Sequence, residues 1–245
     1  MEFSLASVAK SDLRESAAKG FDVPLSGLLT VKGLLPSKDI MIEEFHLSHL
    51  PPELAVHVAC YTDVKNAPYL RQQLLAGNQT FNYAFIDAST VLSRRHLLTA
   101  CFRACNDYIH DRLKSNNVQS EVVFCLSSNN NIGDAFRRFG ISDESKDIIV
   151  VKVGDSAAGD QSQTLSKGSV ESHLNEAVEG IGADFSDTWL EGVCNLDKVR
   201  KNYRIAKPQP VKGAKIVNGD SDEAMNGRSE VEVQVLGLMA LRGAT

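Results

Sequence analysis

Arg94, Arg95 and His96 stand together at one place in the chain, and Asn129, Asn130 and Asn131, followed shortly by Arg137 and Arg138, stand at another. These residue types bind ligands rather than break bonds. Guanidinium forks match phosphate oxygens, and asparagine amides hydrogen-bond the edges of unpaired bases. Arg94 and Arg95 fall in the first turn of a predicted helix, where the macrodipole favours negative side chains, so their placement is locally unfavourable. A phosphate arriving at that helix start would account for it; a solvated basic turn is the alternative. Arg137 and Arg138 fall in a last turn, where cations are simply stabilising. Residues 129–131 lead into a helix start, a rim of backbone N–H groups suited to an anionic or polynucleotide ligand. The same asparagines equally suit capping and turning for local reasons.

No arrangement for covalent chemistry accompanies them. The sequence has no glycine fingerprint after its first predicted strand, no Walker lysine loop, no GxSxG elbow and no zincin helix. His46 and His49 precede a Pro-Pro turn without a cysteine or carboxylate motif, so neither a metal nor a cofactor is expected. Cys101 and Cys105 lie one helical turn apart and read as core packing, and the five cysteines form no disulfide framework. With 26 Lys and Arg against 31 Asp and Glu, the 245-residue chain is not composed as a free-standing nucleic-acid binder. RNA contact would come from a local basic patch completed by partners. No stretch has the length of a membrane span, and the first residues lack the basic start and apolar block of a signal peptide. A protein of the nucleus and cytoplasm is expected.

Periodicity gives the elements that position these residues. Residues 122–126 are an unbroken apolar run with β-branched and aromatic members, read as a central strand. Ile132, Ala135, Phe136 and Phe139 share one face of the next helix, with Asn130 or Asn131 as its cap and Gly140 ending it in the left-handed conformation. Upstream, residues 54–61 alternate as a half-buried strand with Val56, Val58 and Cys60 on one face. Asn66 caps a helix with Pro68 in its first turn, Leu70 and Leu74 pointing inward, and Gly77 closing it. Residues 83–87 form another strand. Residues 89–114 form the longest helix, kinked near Ser93, with Leu98, Phe102, Cys105 and Ile109 as its buried stripe. Residues 147–153 supply a fourth strand. Ser169, Ser186 and Asn195 cap further helices, the last gathering Lys198, Arg200, Lys201 and Arg204.

Four strands separated by helices are therefore expected to give an α/β sandwich with flanking helices, the pairing of the strands being left open by the pattern. Residues 1–40 read as a variable, disordered extension, 41–205 as one domain, and 206–228 as a disordered linker. In 229–245, Val231, Val233 and Val235 alternate like a strand, whereas Leu236, Met239 and Ala240 fit a helix, and the pattern alone leaves both open.

Three strings, LSSNNNIGDAFRRFGI at 126–141, DVKNAPYLRQQLL at 63–75 and DIIVVKV at 147–153, carry a family resemblance by their order and spacing. Over residues 42–203 and a weaker C-terminal segment the chain resembles the TPRKB-type kinase-binding protein, a subunit of the KEOPS (EKC) complex. The resemblance implies an α+β two-layer sandwich with a mixed four-stranded sheet, a C-terminal helix over 229–245 packed on the domain, and a non-catalytic subunit. That subunit docks on a small atypical protein kinase, activates it, and meets the other KEOPS subunits through it. It helps deliver tRNA by the 3′ CCA end for threonylcarbamoylation (t6A) of the adenosine beside the anticodon, and telomere maintenance is attributed to the complex. Family members carry a histidine followed by two leucines, here His96, Leu97 and Leu98.

The implied strand order sets the 129–131 loop and the start of the Arg94 helix on one rim. Arg94, Arg95, His96, Asn129, Asn130, Asn131, Arg137 and Arg138 are thus the expected tRNA-binding residues. Docking through the tail helix, on an apolar patch rimmed by polar groups, selects Leu236, Leu238 and Met239. The alternative is a small α/β enzyme or nucleotide-binding domain whose site no motif encodes.

Overall fold

The computed structural model describes residues 41–52, 54–154, 167–207 and 220–242. Five strands run β1 (Glu43–Phe45), β2 (Val56–Thr62), β3 (Ala84–Asp87), β4 (Ile148–Val153) and β5 (Ile181–Ala183). The helices are α1 (Ala67–Leu75), α2 (Arg94–Ile109), α3 (Val118–Cys125), α4 (Ile132–Phe139), α5 (Lys167–Ala177), α6 (Asp187–Val193), α7 (Leu196–Tyr203) and α8 (Asp220–Leu241).

The sheet order is β1-β2-β4-β3, with β5 also pairing β2. The class is α+β as expected, but every pairing is antiparallel, so the sheet is not mixed. Both faces of β2 are buried, which corrects the half-buried reading. Val56, Val58 and Cys60 pack into the larger core with α2, α3, α7 and α8, while Ala59 and Tyr61 pack under α1 and α5 with Leu70, Val170 and Leu174. An alternating pattern becomes a fully buried strand when helices cover the second face.

The largest correction concerns residues 122–126, which form the end of helix α3 rather than a central strand. A short apolar run does not distinguish a buried strand from a buried helix. The deciding signals lie before it. The Asn117 side chain accepts from the Ser120 amide at 2.8 Å, and Glu121 Oε2 accepts from the Lys114 and Ser115 amides and the Ser115 hydroxyl. Gln119 then pairs with the last residue of β4, donating to the Val153 carbonyl and accepting from its amide, both at 2.9 Å. A helix apolar all round is one enclosed by protein.

Other local expectations shift for identifiable reasons. The segment 89–114 breaks at Ser93, whose hydroxyl caps α2 by accepting from the His96 amide. The buried stripe of α2 runs through Leu97, Ala100, Cys101, Ala104 and Cys105, leaving Phe102 and Ile109 exposed. Asn66 makes no side-chain cap; its amide instead donates to the Ala177 carbonyl and accepts from the Glu179 amide. Ser169 lies inside α5 rather than before it. Asn131, Ser186 and Asn195 cap as expected, and Gly77 takes the left-handed conformation at φ +69°.

Gly140 does not: its φ is −70°. It is glycine because a Cβ there would sit 2.6 Å from the Phe136 carbonyl oxygen.

The tail is a helix of 22 residues, the longest described, beginning inside the stretch expected to be linker. Val231, Val235 and Met239 bury one side of it, and that burial outweighs the modest helix propensity of its β-branched residues. The expectations for residues 1–40 and for the rest of the linker lie outside the described residues. No helix among the described residues is long and apolar enough to cross a membrane.

Candidate nucleic-acid interface

The asparagine loop is built from its own hydrogen bonds. Ser127 Oγ accepts from the Asn129 amide at 3.2 Å, Asn129 Oδ1 from the Asn131 amide at 3.0 Å, and Asn131 Oδ1 from the Asp134 amide at 2.9 Å. Asn129 Nδ2 donates to Asp134 Oδ2 at 2.8 Å. Asp134 also receives Arg138 Nε at 2.7 Å and the Arg137 guanidinium. The Asn129 amide, followed by these arginines, holds the Asp134 carboxyl below the ordinary range. Two of the three amides are therefore spent on shaping the loop. Asn130 is exposed and makes no side-chain hydrogen bond among the described residues.

The loop delivers cations to a groove. Arg138 Nη1 donates to the Asn202 carbonyl at 2.8 Å, and Asn202 Nδ2 donates back to the Arg138 carbonyl at 3.4 Å, so the ends of α4 and α7 are joined. Arg137, Arg138, Lys198, Lys201, Asn202 and Arg204 line a groove of about 410 Å³. Arg137 is 77% exposed. Lys198 is held by Asp87 Oδ2 at 2.8 Å and Ser89 Oγ at 2.9 Å, whereas Lys201 and Arg204 have no carboxylate partner among the described residues. Arg204 leaves α7 in the left-handed conformation.

A second groove of about 700 Å³ adjoins it, reaching from Asn129 past Arg204 to Leu238 and Leu241 of α8. On the far side of Arg137 lies an apolar groove of about 640 Å³ whose walls include Leu74, Tyr83, Phe85 and Phe136. Sequence reasoning noticed residues 198–204 as a basic helix face; what it missed was that α4 and α7 meet there.

Arg94, Arg95 and His96 do not line this groove. Arg94 turns to Glu43 at 2.8 Å and lies over the rings of Phe45 and Phe185. Its backbone amide donates to Asp187 Oδ1 at 2.8 Å, so the negative group expected at this helix start comes from α6. Arg95 is exposed near Glu232 of α8, at 3.9 Å. His96 is fully buried and cannot meet a phosphate. Its Nδ1 accepts from the Leu92 amide at 3.1 Å and its Nε2 lies 2.7 Å from the Tyr203 hydroxyl, which donates onward to the Leu126 carbonyl. Burial pushes its pKa down to about 3, leaving the imidazole neutral.

Among the expected docking residues, Met239 is 1% exposed and belongs to the core, so it is not a surface contact. Leu236 is half-buried and Leu238 is 36% exposed; Val233 and Leu241 on the same helix are more exposed still. Asp107, Glu121 and Cys125 bring ligand atoms within 4.8 Å of one another. Arg103 and Arg112 already face Asp107, Arg242 faces Cys125, and burial pushes the Cys125 thiol up to about 12. A cation would enter a cluster already supplied with positive charge.

The family described as kinase binding protein CGI-121 matches residues 61–243. A protein of Aspergillus terreus named EKC/KEOPS complex subunit cgi121 is 50% identical over 205 residues, covering 83% of this chain and 98% of that protein. Namesakes in Aspergillus fumigatus and Coccidioides immitis are 45% and 42% identical, covering 83% and 84% of this chain and 98% and 99% of their own lengths.

Proposed function

The chain belongs to the CGI-121 family of kinase-binding proteins, and from that premise we propose that it is a non-catalytic subunit of the KEOPS/EKC assembly. It docks on a small atypical protein kinase, activates it, and meets the other subunits through it. It also helps present tRNA by the 3′ CCA end for threonylcarbamoylation of the adenosine beside the anticodon, in nucleus and cytoplasm. The observation that carries the RNA part is the convergence of five cations on one groove of a chain whose net charge is −5. Such a chain attracts polyanions only where its cations are concentrated, and here they gather beside a loop of amides. An apolar groove sharing Arg137 gives unstacked bases a place to lie. The kinase face is the outward side of α8, with Leu236, Leu238 and Leu241.

The test is binding of the purified chain to tRNA with an intact CCA end and to the same tRNA lacking it, at two salt concentrations. Binding that needs the CCA end and weakens with salt is expected. Equal binding to both RNAs, or none, would remove the 3′-end reading and leave the kinase-docking subunit. ATP binding or turnover by the chain alone would favour the enzyme alternative instead.

A further inference from the structure

We infer that Arg242, at the end of α8, is a positioning residue for the asparagine loop, linking the helix with the docking face to the groove that receives RNA. The inference rests on the RNA reading above. Arg242 is buried, with its guanidinium 4.0 Å from the centre of the Phe124 ring. Its Nη1 donates to the Phe124 carbonyl and, at 3.3 Å, to the Ser127 carbonyl; its Nη2 approaches Cys125 Sγ at 3.5 Å. These carbonyls belong to the end of α3 and the turn after it; the Phe124 carbonyl also accepts from the Ser127 amide at 3.0 Å, so Arg242 reinforces the turn that leads into the loop. A cation is favoured there by the helix dipole. Nη1 serves both carbonyls while the planar guanidinium lies against the Phe124 ring, a flat contact that an ammonium does not make.

The end of α8 is fixed in turn by Arg103, which donates to the carbonyls of Met239 and Arg242, the latter at 2.8 Å. From Ser127 the chain of hydrogen bonds continues unbroken. Ser127 Oγ holds the Asn129 amide, Asn129 holds Asp134, and Asp134 holds Arg137 and Arg138 at the groove. Arg242 itself lines neither the basic groove nor the surface. Its effect on RNA must pass through Ser127 and Asn129.

The experiment measures affinity of the full chain for an RNA hairpin ending in single-stranded CCA, across a salt series. Four proteins are compared: wild type, Arg242→Gln, Asn129→Ala and the double variant. Arg242→Gln should bind about tenfold more weakly, the scale of one charge-assisted hydrogen bond. Its salt slope should match wild type, because Arg242 touches no phosphate. In the Asn129→Ala background the Arg242 substitution should cost nothing further, since both act through one link.

Wild-type affinity in Arg242→Gln, or losses that simply add in the double variant, would overturn the positioning role while leaving the RNA reading intact. Failure of the wild type to bind would overturn the RNA reading and this inference with it. If Arg242→Gln does not fold, Arg242→Lys, which keeps the charge and loses the planar guanidinium against Phe124, carries the same comparison.

Discussion

His96 Nε2 and the Tyr203 hydroxyl lie 2.7 Å apart in the centre of the fold, joining α2 to α7 beneath the basic groove. Because Nδ1 accepts from the Leu92 amide, Nε2 carries the proton and donates, and Tyr203 passes a hydrogen bond to the Leu126 carbonyl. A second proton on this ring would break the first of these bonds. The imidazole pKa falls from 6.5 to about 3 on folding, so the unfolded chain takes up the extra proton between those values. Stability from this site is complete above pH 6.5 and falls as the pH drops towards 3, by up to about 1.4 kcal/mol per pH unit. His57 and His173, both lowered by burial, act in the same direction. Urea unfolding across this range should show a flatter pH dependence for His96→Gln than for wild type, whatever its stability at neutral pH. Equal slopes would mean that His96 does not titrate on unfolding.

Met239 and Leu238 are neighbours on α8 with opposite expected phenotypes. Met239 sits in the cluster with Val235 and Val231. Met239→Ala should destabilise the fold by about 2–5 kcal/mol, seen as a lower urea midpoint. Leu238→Arg should leave that midpoint unchanged and abolish kinase capture in a pull-down with the purified partner. Kinase capture that survives Leu238→Arg would take this side of α8 out of the interface.

Three glycines separate steric need from conformational need. Gly140 has ordinary dihedrals but no room for a Cβ, so Gly140→Ala should cost about 1–3 kcal/mol through displacement of the Phe136 carbonyl. Gly77 has room but a positive φ, and Gly77→Ala should cost about 1–2 kcal/mol. Gly192, in α6 with open space around it, should be stabilised by alanine by up to about 1 kcal/mol. Thermal melts of the three variants check the order; a harmless Gly140→Ala would mean that α4 can shift away from β3.

The elements flanking the site were legible in the sequence where a short-range signal wrote them: the Asn131, Ser186 and Asn195 caps, the Gly77 stop, and the apolar face of α4. Residues 122–126 were not, because a segment enclosed by protein loses the polar side that marks its period, and only Asn117 and Gln119 betray the helix. The two three-residue strands at the sheet edge are too short to show alternation at all. At the site, Arg94 was misread because the carboxylate that balances its helix start, Asp187, lies 93 residues away. His96 carries no local mark distinguishing a buried hydrogen-bonded ring from a surface one. The groove depends on α4 meeting α7, a long-range packing event that charge runs in each helix do not announce.

The groove makes a quantitative prediction about salt. Each phosphate contact to a single strand contributes roughly 0.7 to the slope of log affinity against log salt. Arg137 and Lys201 are the groove cations most open to solvent on α4 and α7, and neither anchors the fold as Lys198 does through Asp87. Arg137→Gln with Lys201→Gln should therefore weaken binding of a CCA-ended RNA and reduce the slope by roughly 1.4, two contacts at that value. Arg94→Gln with Arg95→Gln should leave the slope as it is, because Arg94 is turned to Glu43 and Arg95 stands beside Glu232. The reverse result, a slope that responds at Arg94 and Arg95 but not at Arg137 and Lys201, would move the RNA from the α4–α7 groove to the start of α2.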